Sequence, residues 1–462
     1  MRKLFGTDGM RGEAGSFPLD ATTIETVGAS LACRLTEKLG RTPSIVIGRD
    51  TRESSGWLEH ALVTGLSRAG ATSKSAGVIT TPGVAFLART LPADAGVVIS
   101  ASHNPYRDNG IKIFSPSGRK LDEETERLIE SDVFAQPNTV LLTNTDRSLR
   151  VVKTEADEAH DLRSRYAGFL VDEIGRDLSL RGISLIVDCA NGAAFKLAPE
   201  VFERLGATVA TINNQPDGRN INLGCGALHT EALQAEVVRR NANLGVAFDG
   251  DADRALFVDE NGRLVNGDGS LWVLARYLKA RHELTHDTVV ATVMSNIGLE
   301  VAFQSQAIRL VRADVGDKYV LEELLRLGAS LGGEQSGHII FPGLSLAGDG
   351  LITTLRMLRA MSEAGKALHE LTEGFHTFPQ ILVNVKVKVK QPFVEVAAIQ
   401  KAVREVENEL GAKGRLLLRY SGTEPLARIM IEGKNQDEIE KHAATLAGVI
   451  QQTLGGLSSG VP

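Results

Sequence analysis

Cysteine is scarce in this chain of 462 residues: there are three, Cys33, Cys189 and Cys225, an odd number without C-x-x-C spacing. That argues against a disulfide framework and against a thiolate zinc site, and leaves three packed thiols. No stretch approaches the roughly 18 uninterrupted apolar residues of a membrane span, and the opening "MRKLFGTDGMRG" has no apolar signal core. A cytoplasmic protein is expected. Basic charge is not in excess either, since the net charge is -6, which is poor for non-specific nucleic-acid binding. An anionic substrate then needs a locally basic cleft. No G-x-x-x-x-G-K-[ST] loop occurs, which argues against a P-loop nucleotide enzyme.

What is present is a long alternation of strand-like and helix-length segments. "SIVIG", "GVVIS", "ISLIVD", "LGVAF", "TVVATVM" and "IRLVR" read as mostly buried strands of βαβ construction up to about residue 370. After Pro379 the order changes. "ILVNVKVKV" alternates as a half-exposed strand, a helix follows near Phe393 to Leu410, then strands "RLLLRY" and "ARIMIEG" and a helix from about Gln436 to Leu454. The length asks for several domains. Polar "AQPNTVLLTNTDRS" near residue 140 and "TEGFHTFPQ" near 375 read as linkers, a break close to 255 rests on size alone, and "GGLSSGVP" reads as a disordered tail.

Four loops carry the chemistry. In "VVISASHNP" an apolar strand runs into turn formers, so Ser102 sits at a strand's carboxyl end, where open α/β sheets place ligands. "FDGDADRALFVDENG" puts Asp249, Asp251 and Asp253 within five residues, and like charges so close call for a hard divalent cation such as Mg²⁺. An EF-hand fits poorly, because Arg254 stands where its turn needs glycine and both flanks read as strands, and a solvated acidic turn is the plainer alternative. "GGEQSGH" offers Glu334, Gln335, Ser336 and His338 to hydroxyls or amines, or is a plain hairpin turn. "RYSGTEPLAR" gathers Arg419, Ser421, Thr423 and Arg428 around Gly422, a phosphate clamp or an ordinary β-turn. Ser102 lacks the G-x-S-x-G elbow of a hydrolase; it is a plain turn residue or, by another covalent route, a serine that carries a phosphoryl group beside a metal.

With these loops in this order, the sequence resembles the α-D-phosphohexomutase superfamily along nearly its whole length. It is most similar to the bacterial branch that acts on glucosamine phosphates, through "FGTDGMRG", "SASHNP", "NINLGCGALH", "DGDADR" and "GEQSGH". The resemblance implies an α/β fold of four domains around a central cleft, three related mixed α/β units followed by a small α+β lid. The expected limits are 1–145 with the phosphoserine loop, 146–254 with the metal loop, 255–373 with the sugar loop, 374–455 with the phosphate loop, and a tail over 456–462. It implies interconversion of glucosamine 6-phosphate and glucosamine 1-phosphate, toward UDP-N-acetylglucosamine, through phosphorylated Ser102 and a glucosamine 1,6-bisphosphate; the alternatives are a phosphomannomutase or phosphoglucomutase of the same superfamily, and a metal-dependent sugar phosphatase, which the "RYSGTEP" clamp argues against. The metal is one Mg²⁺ per chain, held by Ser102, Asp249, Asp251 and Asp253.

Further roles are implied residue by residue. Thr7, Arg11, His103, Lys112 and Arg254 line the transfer site, and Glu334 and Ser336 hold sugar hydroxyls. Arg419, Ser421, Gly422, Thr423 and Arg428 hold the phosphate that does not react. Lys112 and His338 are the candidates for shuttling the hydroxyl proton, with a surface charge and a loop-lining ring as their plain alternatives. Gln335 is the candidate for amino-sugar preference. The expected partners are small sugar phosphates, neither nucleic acid nor membrane, with a homodimer left open. Two positions depart from the pattern: Lys318, where arginine is expected, and Leu228, where a small polar residue is.

Overall fold

The computed structural model describes residues 4–6, 8–135, 156–411, 414–421 and 425–455. Thr7, Gly422, Thr423, nearly all of the expected first linker and the expected tail over 456–462 lie outside these. The chain forms two compact units, Met1–Met294 with Val311–Glu373, and Ser295–Leu310 with Gly374–Pro462. Among the described residues no helix is long and apolar enough to cross a membrane.

The first sheet runs in the order β1-β2-β6-β5-β3-β4, from β1 (Phe5–Gly6), β2 (Gly9–Glu13), β3 (Ser44–Arg49), β4 (Thr72–Val78), β5 (Ala95–Ile99) and β6 (Asp108–Phe114). The continuous apolar run of β5 is buried throughout, as a strand covered on both faces must be. It pairs in parallel with β3 and antiparallel with β6, which turns back from it across the 100–107 loop. On one face the helices Ala21–Leu39 and Ser55–Arg68 meet so closely that a Cβ on Gly65 would lie 1.9 Å from the Glu25 carbonyl. Only glycine allows that approach.

The second sheet is β11-β10-β9-β7-β8, built from β7 (Ser184–Asp188), β8 (Thr208–Ile212), β9 (Leu244–Phe248), β10 (Ala255–Asp259) and β11 (Leu264–Val265). The boundary expected between residues 254 and 255 falls inside it. β10 folds back antiparallel on β9, with Ala255 opposite Phe248, so the 249–254 loop is the tip of a hairpin within one sheet. The third sheet, β13-β12-β14-β15, comprises β12 (Thr288–Thr292), β13 (Arg309–Ala313), β14 (Leu331–Gly333) and β15 (Ile339–Ile340). Its β14–β15 hairpin carries "GGEQSGH" at the tip, with Gly333 opposite Ile339.

One buried carboxyl ties elements from distant parts of the first unit. Asp349 accepts the N–H groups of Leu351 and Ile352, capping the helix Gly350–Ala364, and takes the Tyr166 hydroxyl at 2.6 Å. Burial pushes the Asp349 carboxyl up to about 6. Tyr166 and Phe169 in turn pack on Phe86, with centroids 5.5 and 4.6 Å away.

The second unit is an antiparallel sheet, β16-β18-β17, from β16 (Gln380–Lys386), β17 (Arg415–Tyr420) and β18 (Leu426–Glu432). Helices Ala397–Leu410 and Gln436–Leu454 bury Ile399, Val406, Ile439, Leu446 and Ile450 against Val385, Ile429 and Ile431. It also includes an earlier helix, Ile297–Ser305. Buried Glu432 accepts the Ile297 N–H at 3.1 Å and pairs with Arg415 at 2.8 Å, so a segment upstream of the expected limit at 374 packs with the last sheet.

Candidate active site

Ser102 is buried and has a left-handed backbone, φ 52°, which costs energy for any residue with a Cβ and persists only where the surroundings enforce it. They do so here. Its carbonyl accepts Arg52 Nη2 at 2.9 Å and Asn222 Nδ2 at 2.8 Å, and its N–H donates to Ser100 Oγ at 3.0 Å. Arg52 also donates to the carbonyls of Asn104 and Pro105, while Asp50 holds its Nε at 2.8 Å with no exposure on either side chain. Gly250 lies so near that a Cβ there would come within 2.4 Å of the Ser102 carbonyl. The loop is thereby fixed with Ser102 Oγ donating to Asp249 Oδ2 at 2.5 Å.

Asp249, Asp251 and Asp253 are buried and offer ligand atoms within 4.8 Å of one another. Asp251 Oδ1 and Asp253 Oδ1 have no hydrogen-bond partner. Buried carboxylate oxygens left open in this way suit a hard divalent cation, and the residues fit Mg²⁺. Burial and the like charges of Asp253 and Asp251 push Asp249 well above the usual carboxylate range, a penalty that a bound cation removes. Burial opposes ionisation of Asp251 too, but the Lys112 ammonium and the Thr81 hydroxyl, which donates to Oδ2 at 2.6 Å, outweigh it and hold that carboxyl below its ordinary value.

Cations crowd the same place. Lys112 Nζ, buried, lies 3.1 Å from Asp251, 3.3 Å from Asp253 and 3.3 Å from Asp8. Burial pulls its ammonium down and the three carboxylates more than reverse this, so Lys112 stays protonated. In this arrangement it donates hydrogen bonds to carboxylates and accepts none. Arg11 pairs with Asp8 and donates to the Ala101 carbonyl at 2.8 Å and Asn104 Oδ1 at 3.2 Å. The Arg254 backbone N–H donates to Asp249 Oδ1 at 3.2 Å. His103 Nδ1 is 3.4 Å from Ser102 Oγ; burial and the Arg254 and Arg11 charges push its imidazole down to about 4, so it is neutral at pH 7.

In the hairpin loop, Glu334 accepts the Gly316 N–H at 3.1 Å and the Ser336 hydroxyl at 3.1 Å, and Gln335 donates to Asp268 Oδ2 at 3.3 Å. His338 is buried with its ring against Gly348 and Nδ1 without a hydrogen-bond partner, a packed ring more than an open loop group. In the second unit Arg419 and Arg428 stand directly opposite each other on β17 and β18, and Lys390 Nζ donates to the Ser421 carbonyl at 2.6 Å. Like charges paired across strands repel, and an anion between them offsets the cost. Of the departures, Lys318 pairs with Glu123, and Leu228 is 53% exposed.

Sequence reasoning missed the supports. Asp50, Arg52, Thr81 and Lys120 hold the reacting groups from outside the quoted stretches, and Asp8 and Asn222 do so from within "FGTDGMRG" and "NINLGCGALH", where no role was expected of them. For Asp50 and Arg52 the legible signal is "GRDTR", a charged pair placed where the buried strand "SIVIG" ends.

Models of the phosphoglucomutase/phosphomannomutase family match four segments: α/β/α domain I over 2–139, domain II over 165–262, domain III over 266–378 and the C-terminal domain over 382–449. The chain belongs to the phosphoglucomutase/phosphomannomutase family and is a phosphohexomutase. Phosphoglucosamine mutase of Solibacter usitatus is 49% identical over 98% of this chain and 99% of that protein, and that of Koribacter versatilis is 47% identical over 98% of each. The fold matches a phosphoglucomutase/phosphomannomutase family protein from Burkholderia thailandensis, with TM-score 0.77 at 22% identity over 98% and 99% of the two chains. It also matches Aspergillus fumigatus N-acetylphosphoglucosamine mutase, solved in complex with GlcNAc-6P and magnesium, with TM-score 0.67 at 18% identity over 98% and 96%.

Proposed function

We infer that the chain interconverts glucosamine 6-phosphate and glucosamine 1-phosphate, as a cytoplasmic enzyme, with Ser102 carrying the phosphoryl group. The observation that carries this reading is the strained, buried Ser102 with Oγ 2.5 Å from Asp249 and open carboxylate oxygens on Asp251 and Asp253. The names of the full-length relatives support the amino sugar. In the forward half-reaction the Ser102 Oγ–P bond breaks and a bond forms from that phosphorus to the free sugar hydroxyl oxygen. That hydroxyl's proton ends on Ser102 Oγ, and a 1,6-bisphosphate results. The bisphosphate turns end for end and the second half-reaction returns its other phosphoryl to Ser102, releasing the isomer.

Asp249, Asp251, Asp253 and Ser102 are the residues that would hold Mg²⁺, which when bound offsets charge on the transferring group. Lys112, Arg11 and Arg254 add positive charge around the reacting oxygens, and transfer of this type is governed by positioning and electrostatics. Glu334 and Ser336 suit sugar hydroxyls, and Gln335 is assigned the amino-sugar preference. Arg419, Arg428 and Ser421, with Gly422 and Thr423, suit a phosphate that does not react. The test is a coupled assay on the 1- and 6-phosphates of glucosamine, glucose and mannose. The highest kcat/KM is expected for glucosamine; a preference for mannose or glucose would move the assignment to another branch of the family.

A further inference from the structure

A single chain of charges joins the sugar-side loop to the transfer site. Asp317 opens the helix Asp317–Leu327, and its carboxylate takes Lys120 Nζ at 2.7 Å. Lys120 Nζ lies 2.9 Å from Asp8 Oδ1, and Asp8 Oδ2 faces Lys112 Nζ at 3.3 Å and pairs with Arg11. The neighbour of Asp317 closes the circuit from the other side, since the Gly316 N–H donates to Glu334 Oε1 at 3.1 Å. Asp8 is thus shared among three cations, Lys112, Lys120 and Arg11, and one carboxylate cannot fully serve three. Asp317 fixes Lys120 from the far side, and Lys120 in turn fixes Asp8 Oδ1. Without that anchor Lys120 and then Asp8 shift, so Lys112 and Arg11 lose one of the groups that fix them, Lys112 keeping Asp251 and Asp253 and Arg11 the Ala101 carbonyl.

We propose that Asp317 is a positioning residue for phosphoryl transfer, acting through Lys120 and Asp8 to hold Lys112 and Arg11 beside the Ser102 loop while its own turn holds Glu334. The proposal rests on the phosphoryl-transfer reading above. Burial alone would lower the Lys120 ammonium, and Asp317 with Asp8 more than reverses this, so the link is ionised at working pH. The next residue, Lys318, pairs with Glu123 on a separate element.

The test uses the full-length enzyme with Mg²⁺ and saturating bisphosphate, and the variants Asp317→Asn, Lys120→Met, their double, and Lys120→Arg. A misplaced charge array costs about 100-fold. Asp317→Asn, which keeps the side chain's shape, and Lys120→Met should each lower kcat by about 10- to 100-fold with KM changed less than about threefold, at little change in Tm. Acting in series, the double variant should fall within about twofold of the slower single, and Lys120→Arg should restore most of kcat. Unchanged kcat in either single, a rise in KM alone, or losses that multiply in the double would overturn the proposal, and the Lys120 arm stands should Asp317→Asn fail to fold. Wild-type enzyme is assayed first on all three sugar phosphates. If it interconverts none of them, the phosphoryl-transfer reading fails and the proposal with it, an outcome distinct from active wild type with unaffected variants.

Discussion

Replacing Arg52 separates stability from catalysis in a way that the serine loop makes calculable. The guanidinium is fully buried, pairs with Asp50 at 2.8 Å and donates to the carbonyls of Ser102, Asn104 and Pro105. Arg52→Met removes one partner of a buried ion pair and leaves Asp50 with the Ser55 and Ser100 hydroxyls and the backbone N–H of residue 52, a loss of about 3–5 kcal/mol. At about 2–4 °C per kcal/mol for a domain of 150–250 residues, melting falls by roughly 6–20 °C. Arg52→Lys keeps a charge for Asp50 but has no planar fork to span three carbonyls. It should cost only about 1–2 kcal/mol in stability. The strained serine then keeps only Asn222 and Ser100 to hold it, and displacement on the order of 1 Å costs about 100-fold in kcat. Circular dichroism melts and the coupled mutase assay on both variants check this. Wild-type kcat in Arg52→Lys, or wild-type melting in Arg52→Met, would show that the guanidinium does not hold the loop.

Three further outcomes are expected. Asp251→Asn, which halves the charge-bearing oxygens at an open ligand position, should lower turnover by roughly 100-fold or more, and chelation of the wild type should do the same reversibly; full activity after exhaustive chelation contradicts the metal site. Asp349 titrates at about 6 when folded against 3.8 for the free group, so its contribution is fully present below pH 3.8 and is lost as pH rises through 6. Asp349→Asn should therefore gain about 3 kcal/mol relative to wild type between pH 4 and 7, read from paired denaturation curves, and a gap that does not change with pH argues otherwise. Gln335→Met should shift the kcat/KM ratio from glucosamine towards glucose and mannose phosphates, and an unchanged ratio with full activity places selectivity elsewhere.

The strand leading to Ser102 was legible because a run of β-branched residues stops at turn formers, and the aspartates because three carboxylates within five residues repel one another unless a cation joins them. The return strands were not. "ALFVD" reads as the start of a new domain when judged on size, yet it pairs back on "LGVAF", because a tight loop makes an antiparallel hairpin and leaves no room for a crossover. Partnerships across the chain were equally hidden: Lys112 meets Asp251 139 residues away, and Arg52 reaches the Ser102 carbonyl 50 residues on. A local pattern marks such residues as charged but not as buried together. His338 is the reverse case, a polar group in an informative loop whose ring is packed against Gly348.

Whether Ser102 carries the phosphoryl group during turnover can be measured by rapid-quench transfer from enzyme loaded with labelled bisphosphate, followed by peptide mapping. Label is predicted on the peptide containing Ser102, with discharge to added glucosamine 6-phosphate at least as fast as kcat, and with neither labelling nor turnover in Ser102→Ala. Turnover with no label on Ser102, or discharge slower than kcat, would contradict a phosphoserine mechanism.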